Sequence, residues 1–214
     1  MPRPGGGRRL APLITLALIR HAAHALVGHT IVGRSPGVHL NPEGVQQAQA
    51  LARRLAGGAL AALYTSPLER ATQTAAAIGA RLGLDARVAE ELNEIDFGAW
   101  TGRTIAELDQ IEAWRQFNIF RSSARIPDGE TMVEVQARVL RLVERLTAAH
   151  QGQTVALVSH ADVIKAALAH YLGVHLDLFQ RIEIAPAAVS LVQLCPYGPK
   201  VLLVNGSGAE IAAE

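Results

Sequence analysis

Three times along this chain a short, nearly continuous apolar run stops at a polar residue and hands over to a helical pattern, and no other feature limits the fold as much. Residues 13–19 run into Arg20 and His21, residues 61–65 into Ser66 and Pro67, and residues 154–159 into His160. Apolar runs of this length without polar alternation suit strands covered on both faces, as in a parallel sheet with helices on each side.

The intervening segments supply those helices. Asn41-Pro42-Glu43 is a helix start with proline at the first position, and its apolar periodicity continues to about Leu55, before Gly57-Gly58. Ser66-Pro67 is expected to cap a helix over 68–82. Further helices are expected near 105–117, over 131–150 behind the turn Asp128-Gly129-Glu130, and over 161–172, where Gly173 ends the last. Residues 91–102 read as irregular. Residues 189–194 and 201–204 predict two closing strands, paired antiparallel at a sheet edge. The expected architecture is α/β: a single-domain three-layer sandwich over residues 13–214, its mostly parallel central sheet flanked by helices, preceded by a flexible tail over 1–12.

Composition narrows the function. A chain of 214 residues can bury roughly 70% of its unfolded surface, enough for a real core. A formal net charge of +1 provides no basic stripe for nucleic acid and no polybasic surface for a membrane, and no apolar stretch reaches the ~20 residues of a span. The lone Cys195 lies in an apolar run and is expected to be a small buried hydrophobe. Arg8 and Arg9 before an apolar run, with Ala23-His24-Ala25 after it, imitate a secretion signal. Cleavage there would remove Arg20 and His21 with the first core strand, so the expected location is the cytoplasm.

Sheets of this kind hold ligands at the carboxyl ends of their strands, where helix N-termini also point. Arg20 and His21 end the first strand, Arg70 falls in the first turn after the second, and His160 ends the third. Crowded cations need a reason, because they repel and lose hydration. A phosphate dianion provides one: the guanidinium fork matches its oxygens, and imidazole and helix N-termini add donors. A neutral imidazole can also act as nucleophile when one ring nitrogen donates to a backbone carbonyl and the other stays free. The expected partner is a small-molecule phosphomonoester, and the expected chemistry needs no metal and no other cofactor.

These segments resemble the histidine phosphatase superfamily, also called phosphoglycerate-mutase-like. Leu18-Ile19-Arg20-His21-Ala22 resembles its Arg-His-Gly signature, Ser66 to Ala75 its second motif, Val158-Ser159-His160 with Val163-Ile164-Lys165 its third, and Leu92 to Gly102 the segment with its proton donor. The resemblance implies the phosphoglycerate-mutase-like fold and a phosphatase activity. It also implies His21 as phosphoryl acceptor, Arg20, Arg70 and His160 as phosphate ligands, and Glu94 as general acid and base. A carboxyl kept partly neutral could protonate a leaving alkoxide and then activate water. Glu90, Glu91 and Asp96 are the neighbouring alternatives, each otherwise a solvated loop carboxylate.

The departures are Ala22 for the signature's glycine, Ala23 and His24 for its common glutamate and hydroxyl residue, and Val27 for an asparagine that often touches phosphate. His24 or His29 is the candidate replacement for that contact, against a plain loop role for either. Asp162, in place of a glycine, reads as a helix-start residue, with His160 as the group it would tune.

Rival readings differ in kind. A metal hydrolase is not supported by the spacing of the eight histidines: there is no HExxH, and His150, His170 and His175 fall at helix ends. A mutase on the same fold would be longer over residues 111–125 in the family resembled. A non-catalytic phospholigand-binding module would have little use for His21 and Glu94 together. Trp100, Trp114, Phe117 and Phe120 either cover the mouth of the site or pack on the core.

Overall fold

In a computed structural model, residues 13–208 are described, and the expected tail at 1–12 lies outside them. A six-stranded sheet runs through the middle of the domain in the order β3-β2-β4-β1-β5-β6. Strands β1 (Ile14–Arg20), β2 (Leu60–Thr65), β3 (Ala86–Val88) and β4 (Thr154–Ser159) are mutually parallel. β5 (Val189–Cys195) runs antiparallel to β1, and β6 (Gly198–Gly206) antiparallel to β5. The closing hairpin at the edge is therefore as expected.

Side-chain alternation along β1 explains the layers. Ile14, Leu16 and Leu18 point into one core with α5 (Met132–Ala149) and α6 (Ala161–Leu172). Ala17 and Ile19 point into the other, against Leu51 and Leu55 of α1 (Pro42–Leu55) and Ala75 and Ile78 of α2 (Glu69–Leu82). Each fully buried Leu or Ile contributes about 1.5–3 kcal/mol of transfer free energy, so helices on both faces are what a central strand of this composition needs. α1 approaches closely enough that a Cβ at Gly44 would lie 2.0 Å from the Ala23 carbonyl oxygen, which is why glycine stands there.

Several local expectations needed correction. Ser66 is not the N-cap of α2: that residue is Leu68, without a side-chain cap bond of its own, and the Ser66 hydroxyl accepts the Leu68 N–H at 3.4 Å while lying 2.8 Å from His160 Nε2. The helix expected near 105–117 is two helices, α3 (Ile105–Leu108) and α4 (Glu112–Ile119), with Asp109 between them accepting from the Trp114 indole at 3.1 Å. β3 was unanticipated because its three residues are all exposed and carry no apolar pattern. Cys195, expected to be buried, is half-buried at the end of β5. α5 starts on a reciprocal cap between Thr131 and Glu134 rather than on the turn before it. Among the described residues, no helix is long and apolar enough to cross a membrane.

Candidate active site

Parallel pairing puts the ends of β1, β2 and β4 on one edge, with Arg20 opposite Ser159 and Thr65 opposite Val158. His21 continues the ladder by one bond, its N–H donating to the Ser159 carbonyl at 2.9 Å. Beyond it, the Ala22 N–H donates to Thr74 Oγ1 of α2 at 3.0 Å, and the Ala23 N–H to Gln47 Oε1 of α1 at 3.0 Å. The turn after β1 is thus held by both helices on that face. The His21 ring lies with Nδ1 2.8 Å from the Ala22 carbonyl oxygen, which can only accept, so the proton sits on Nδ1 and Nε2 keeps its lone pair. Burial, then the nearby Arg70 and Arg20 charges, hold this imidazole well below its ordinary pKa despite that hydrogen bond. It is neutral at physiological pH.

Two guanidinium groups flank the same place. Arg20 donates Nη1 to the Ile184 carbonyl at 2.6 Å, and Arg70, in the first turn of α2, donates Nη2 to the Gly33 carbonyl at 2.8 Å. Arg20 Nε and Arg70 Nε and Nη1 are buried without a hydrogen-bond partner. Unmatched charged donors of this kind are costly to bury unless an anion accepts from them.

His160 sits behind His21, their ring centroids 5.1 Å apart. It is fully buried and does not line the cavity. Its Nε2 is 2.8 Å from Ser66 Oγ, and its Nδ1 is 3.6 Å from Glu94 Oε2 and has no hydrogen-bond partner. Burial first, then His21 and Arg70, hold its pKa well below the ordinary value, so the contact with Glu94 is not an ion pair.

Of the four carboxyl groups that the sequence left open, only Glu94 lines the cavity. Glu91 is paired with Arg145 at 2.6 Å, Glu90 accepts from Asn93 at 3.4 Å, and Asp96 faces Arg34 and the Gly98 N–H. The Glu94 backbone is held firmly: its carbonyl accepts from Arg34 Nε at 2.8 Å and Arg138 Nη2 at 3.1 Å. Both guanidiniums are in turn tied to the single carboxylate of Glu130, which also accepts the Asp96 N–H. Upstream, Ser159 Oγ donates to the Leu92 carbonyl at 2.7 Å, fastening this segment to β4. Burial first, then the Asp162 charge, push the Glu94 carboxyl up to about 7, against the pull of Arg70. Asp162 therefore acts on Glu94, a partner the sequence did not suggest for it. Thr74, Ser66, Ser159, Arg34, Arg138 and Glu130 were missed as site residues because each acts on a partner distant in sequence.

The cavity has a volume of about 160 Å³ and also takes in His24, Val27, Thr30, Ile31, Val32 and Phe97. His24 is buried with its ring 5.4 Å from that of His21, whereas His29 is exposed and outside the cavity. His24 Nδ1 accepts the Leu26 N–H at 3.2 Å, leaving Nε2 as the donor. Burial and the two arginines lower its pKa to about 4. Trp100, Trp114 and Phe117 form a buried aromatic cluster with centroids 5.3–6.3 Å apart, so they pack on the core, and the mouth belongs to the segment 27–33 with Phe97. Among the described residues, no three of His, Cys, Asp or Glu are grouped so as to hold a metal ion.

Comparison with known proteins agrees with this geometry. Residues 16–207 match the model of the histidine phosphatase superfamily (branch 1). The chain is 34% identical over 200 residues to a bifunctional protein of Mycobacterium tuberculosis, a match covering 90% of this chain and 54% of that one. It thus spans about half the length of that relative. It is 30% identical over 187 residues to phosphoserine phosphatase 1 of Hydrogenobacter thermophilus, with 85% of this chain and 87% of the relative covered. Among solved structures, a mycobacterial glucosyl-3-phosphoglycerate phosphatase superposes with a TM-score of 0.81 at 26% identity, over 90% of this chain and 98% of the other.

Proposed function

The chain belongs to the histidine phosphatase superfamily, and from that premise we propose that it is a phosphomonoester hydrolase working through phosphohistidine at His21. The observation that carries the reading is the fixed tautomer of His21, a neutral ring with Nε2 free between two arginines with unmatched donors. In this reading Arg20 and Arg70 hold the phosphate oxygens, with Nε2–H of His24 as a further donor in place of a contact from Val27. His160, expected as a further phosphate ligand, stands off the cavity wall; when Ser66 donates its hydroxyl proton to Nε2, Nδ1 carries the ring proton and faces Glu94 at 3.6 Å.

The reaction balances in two displacements. His21 Nε2 attacks phosphorus, the P–O bond to the alcohol breaks with its electron pair on oxygen, and protonated Glu94 gives that oxygen its proton. Glu94, now a carboxylate, then takes a proton from water as the water oxygen attacks phosphorus. The P–N bond breaks, its pair returns to His21, and inorganic phosphate leaves. A carboxyl poised at about 7 suits both half-reactions, and arginines supply the charge neutralisation that other phosphatases take from metals. A mutase is disfavoured because, among the described residues, no basic side chain besides Arg20, Arg70 and the neutral histidines lines the cavity to retain a second phosphate. We propose a cytoplasmic location; what supports it is that cleavage beside Ala23-His24-Ala25 would remove β1 from between β4 and β5.

Rapid quenching during turnover of a ³²P-labelled aryl phosphate tests the reading. Acid-labile, base-stable label on the wild-type protein, absent together with turnover in a folded His21→Ala variant, is the expected result. Undiminished turnover by His21→Ala would overturn it.

A further inference from the structure

Asp162 is the second residue of α6, and its side chain is 20% exposed where it lines the cavity. Behind it lies Arg121, 2% exposed and absent from the cavity wall. Arg121 Nη1 is 3.4 Å from Asp162 Oδ2, its Nη2 donates to Asn118 at 2.6 Å, and its guanidinium carbon stands 4.1 Å and 5.0 Å from the ring centroids of Phe117 and Phe179. The pair is therefore oriented: the guanidinium faces the aromatic core and the carboxylate faces the cavity. A helix-start preference alone does not account for a buried arginine spent on one cavity-wall aspartate.

Charge on the wall leads further. A bound phosphate dianion neutralises Arg20 and Arg70, and His21 and His24 are neutral, so among the described residues no cation on the wall remains for a second anionic group. What remains is the carboxylate of Asp162 beside Glu94, with apolar surface from Val27, Ile31, Val32 and Phe97. The Asp162 charge already raises the Glu94 carboxyl, so its field reaches the place where the leaving oxygen must sit.

We propose that Asp162 is a specificity-determining residue that rejects carboxylate-bearing alcohols, so that the substrate is the phosphomonoester of an uncharged or ammonium-bearing alcohol. This rests on the phosphatase reading above. It separates the chain from enzymes that must accept a carboxylate next to the transferred phosphate.

Three matched substrates test it: phenyl phosphate, 4-carboxyphenyl phosphate and 4-(aminomethyl)phenyl phosphate. Wild-type kcat/KM should be about tenfold lower for the carboxylate than for the phenyl ester, the size of one like-charge contact across a partly hydrated site. The ammonium ester should equal or exceed the phenyl ester. In Asp162→Asn the carboxylate ester should rise to within about twofold of the phenyl ester, because the discriminating charge is gone. Asp162→Glu should retain the discrimination. Because Asp162→Asn leaves Arg121 unpaired and can misfold, the double variant Asp162→Asn/Arg121→Met is measured alongside it, and ratios between substrates cancel any loss of folded enzyme. Equal wild-type rates for the carboxylate and phenyl esters, or discrimination unchanged in both neutralised variants, would overturn the assignment of Asp162 alone. Failure to hydrolyse phenyl phosphate at all would instead sink the phosphatase reading beneath it.

Discussion

His160 Nδ1 lies 3.6 Å from Glu94 Oε2 and has no hydrogen-bond partner, so the general acid of the proposed reaction is backed by a neutral imidazole and not by a cation. A cation at that place would draw the carboxyl down into the ordinary range. With a neutral ring, burial and Asp162 prevail, and the carboxyl rests at about 7.

The first prediction concerns pH and catalysis. Only protonated Glu94 can assist the leaving oxygen, so kcat/KM for an alkyl phosphate should fall as pH rises through about 7. Glu94→Gln should flatten that limb and slow alkyl phosphates far more than activated aryl phosphates. Asp162→Asn should move the limb to lower pH, since the Asp162 charge raises the carboxyl. A pH–rate profile on both substrate types decides it. Equal slowing of aryl and alkyl esters in Glu94→Gln would remove Glu94 from the role.

The same shift has a consequence for stability. Because the folded value is raised from about 4.5 to about 7, the folded state holds the proton more tightly than the unfolded chain. The associated stability is present below 4.5 and lost as pH rises through about 7, on the order of 3 kcal/mol in all. Glu94→Gln should therefore gain stability over the wild type at pH 8 relative to pH 4, as read by urea denaturation at the two pH values.

Arg70 should be intolerant even of lysine. Its Nη2 is held by the Gly33 carbonyl, which aims Nε and Nη1 as a fork that an ammonium cannot reproduce. Arg70→Ala should damage both KM and kcat, and Arg70→Lys should recover little, by about tenfold at most. Near-normal kinetics in the lysine variant would place Arg70 outside the phosphate site.

Glu130 joins the two arginines that grip the Glu94 carbonyl, without lining the cavity itself. Glu130→Gln should lower kcat for alkyl phosphates about tenfold while changing KM little, and cost about 1–3 kcal/mol of stability. The double variant with Glu94→Gln should lose little beyond Glu94→Gln alone, because the clamp acts through that one carboxyl. Additive losses would mean that Glu130 serves the fold only.

Chelation should leave the rate unchanged, since the proposed neutralisation of phosphate is done by Arg20 and Arg70. Loss of most activity in EDTA, restored by magnesium or zinc, would contradict the pocket as described.

Much of this was legible in the sequence because the signals were local. The apolar runs ending at Arg20-His21, Thr65-Ser66 and Ser159-His160 imply strands, and the rule that parallel strands share a carboxyl edge brings their terminal residues together before any contact is seen. The helix start at Asn41 was equally legible, because capping depends on neighbours three or four residues away, whereas at Thr131 the position was read from the preceding turn and the cap itself was not. Even the choice of His21 rested on a short motif.

What the tertiary structure alone decided depends on which distant groups touch. The resemblance favoured Glu94 over Glu90, Glu91 and Asp96, and folding supplies the physical reason, because it takes Glu91 to Arg145 and Asp96 to Arg34 and leaves Glu94 beside His160. Folding places His160 behind His21 instead of on the cavity wall, sends Trp100, Trp114 and Phe117 into the core, and turns the Asp162 charge toward Glu94. A carboxyl's proton affinity, a ring's tautomer and a wall's charge are set by burial and by partners across the fold. None of these is a property of a residue's sequence neighbours, and so motif and periodicity located the site while packing determined how it works.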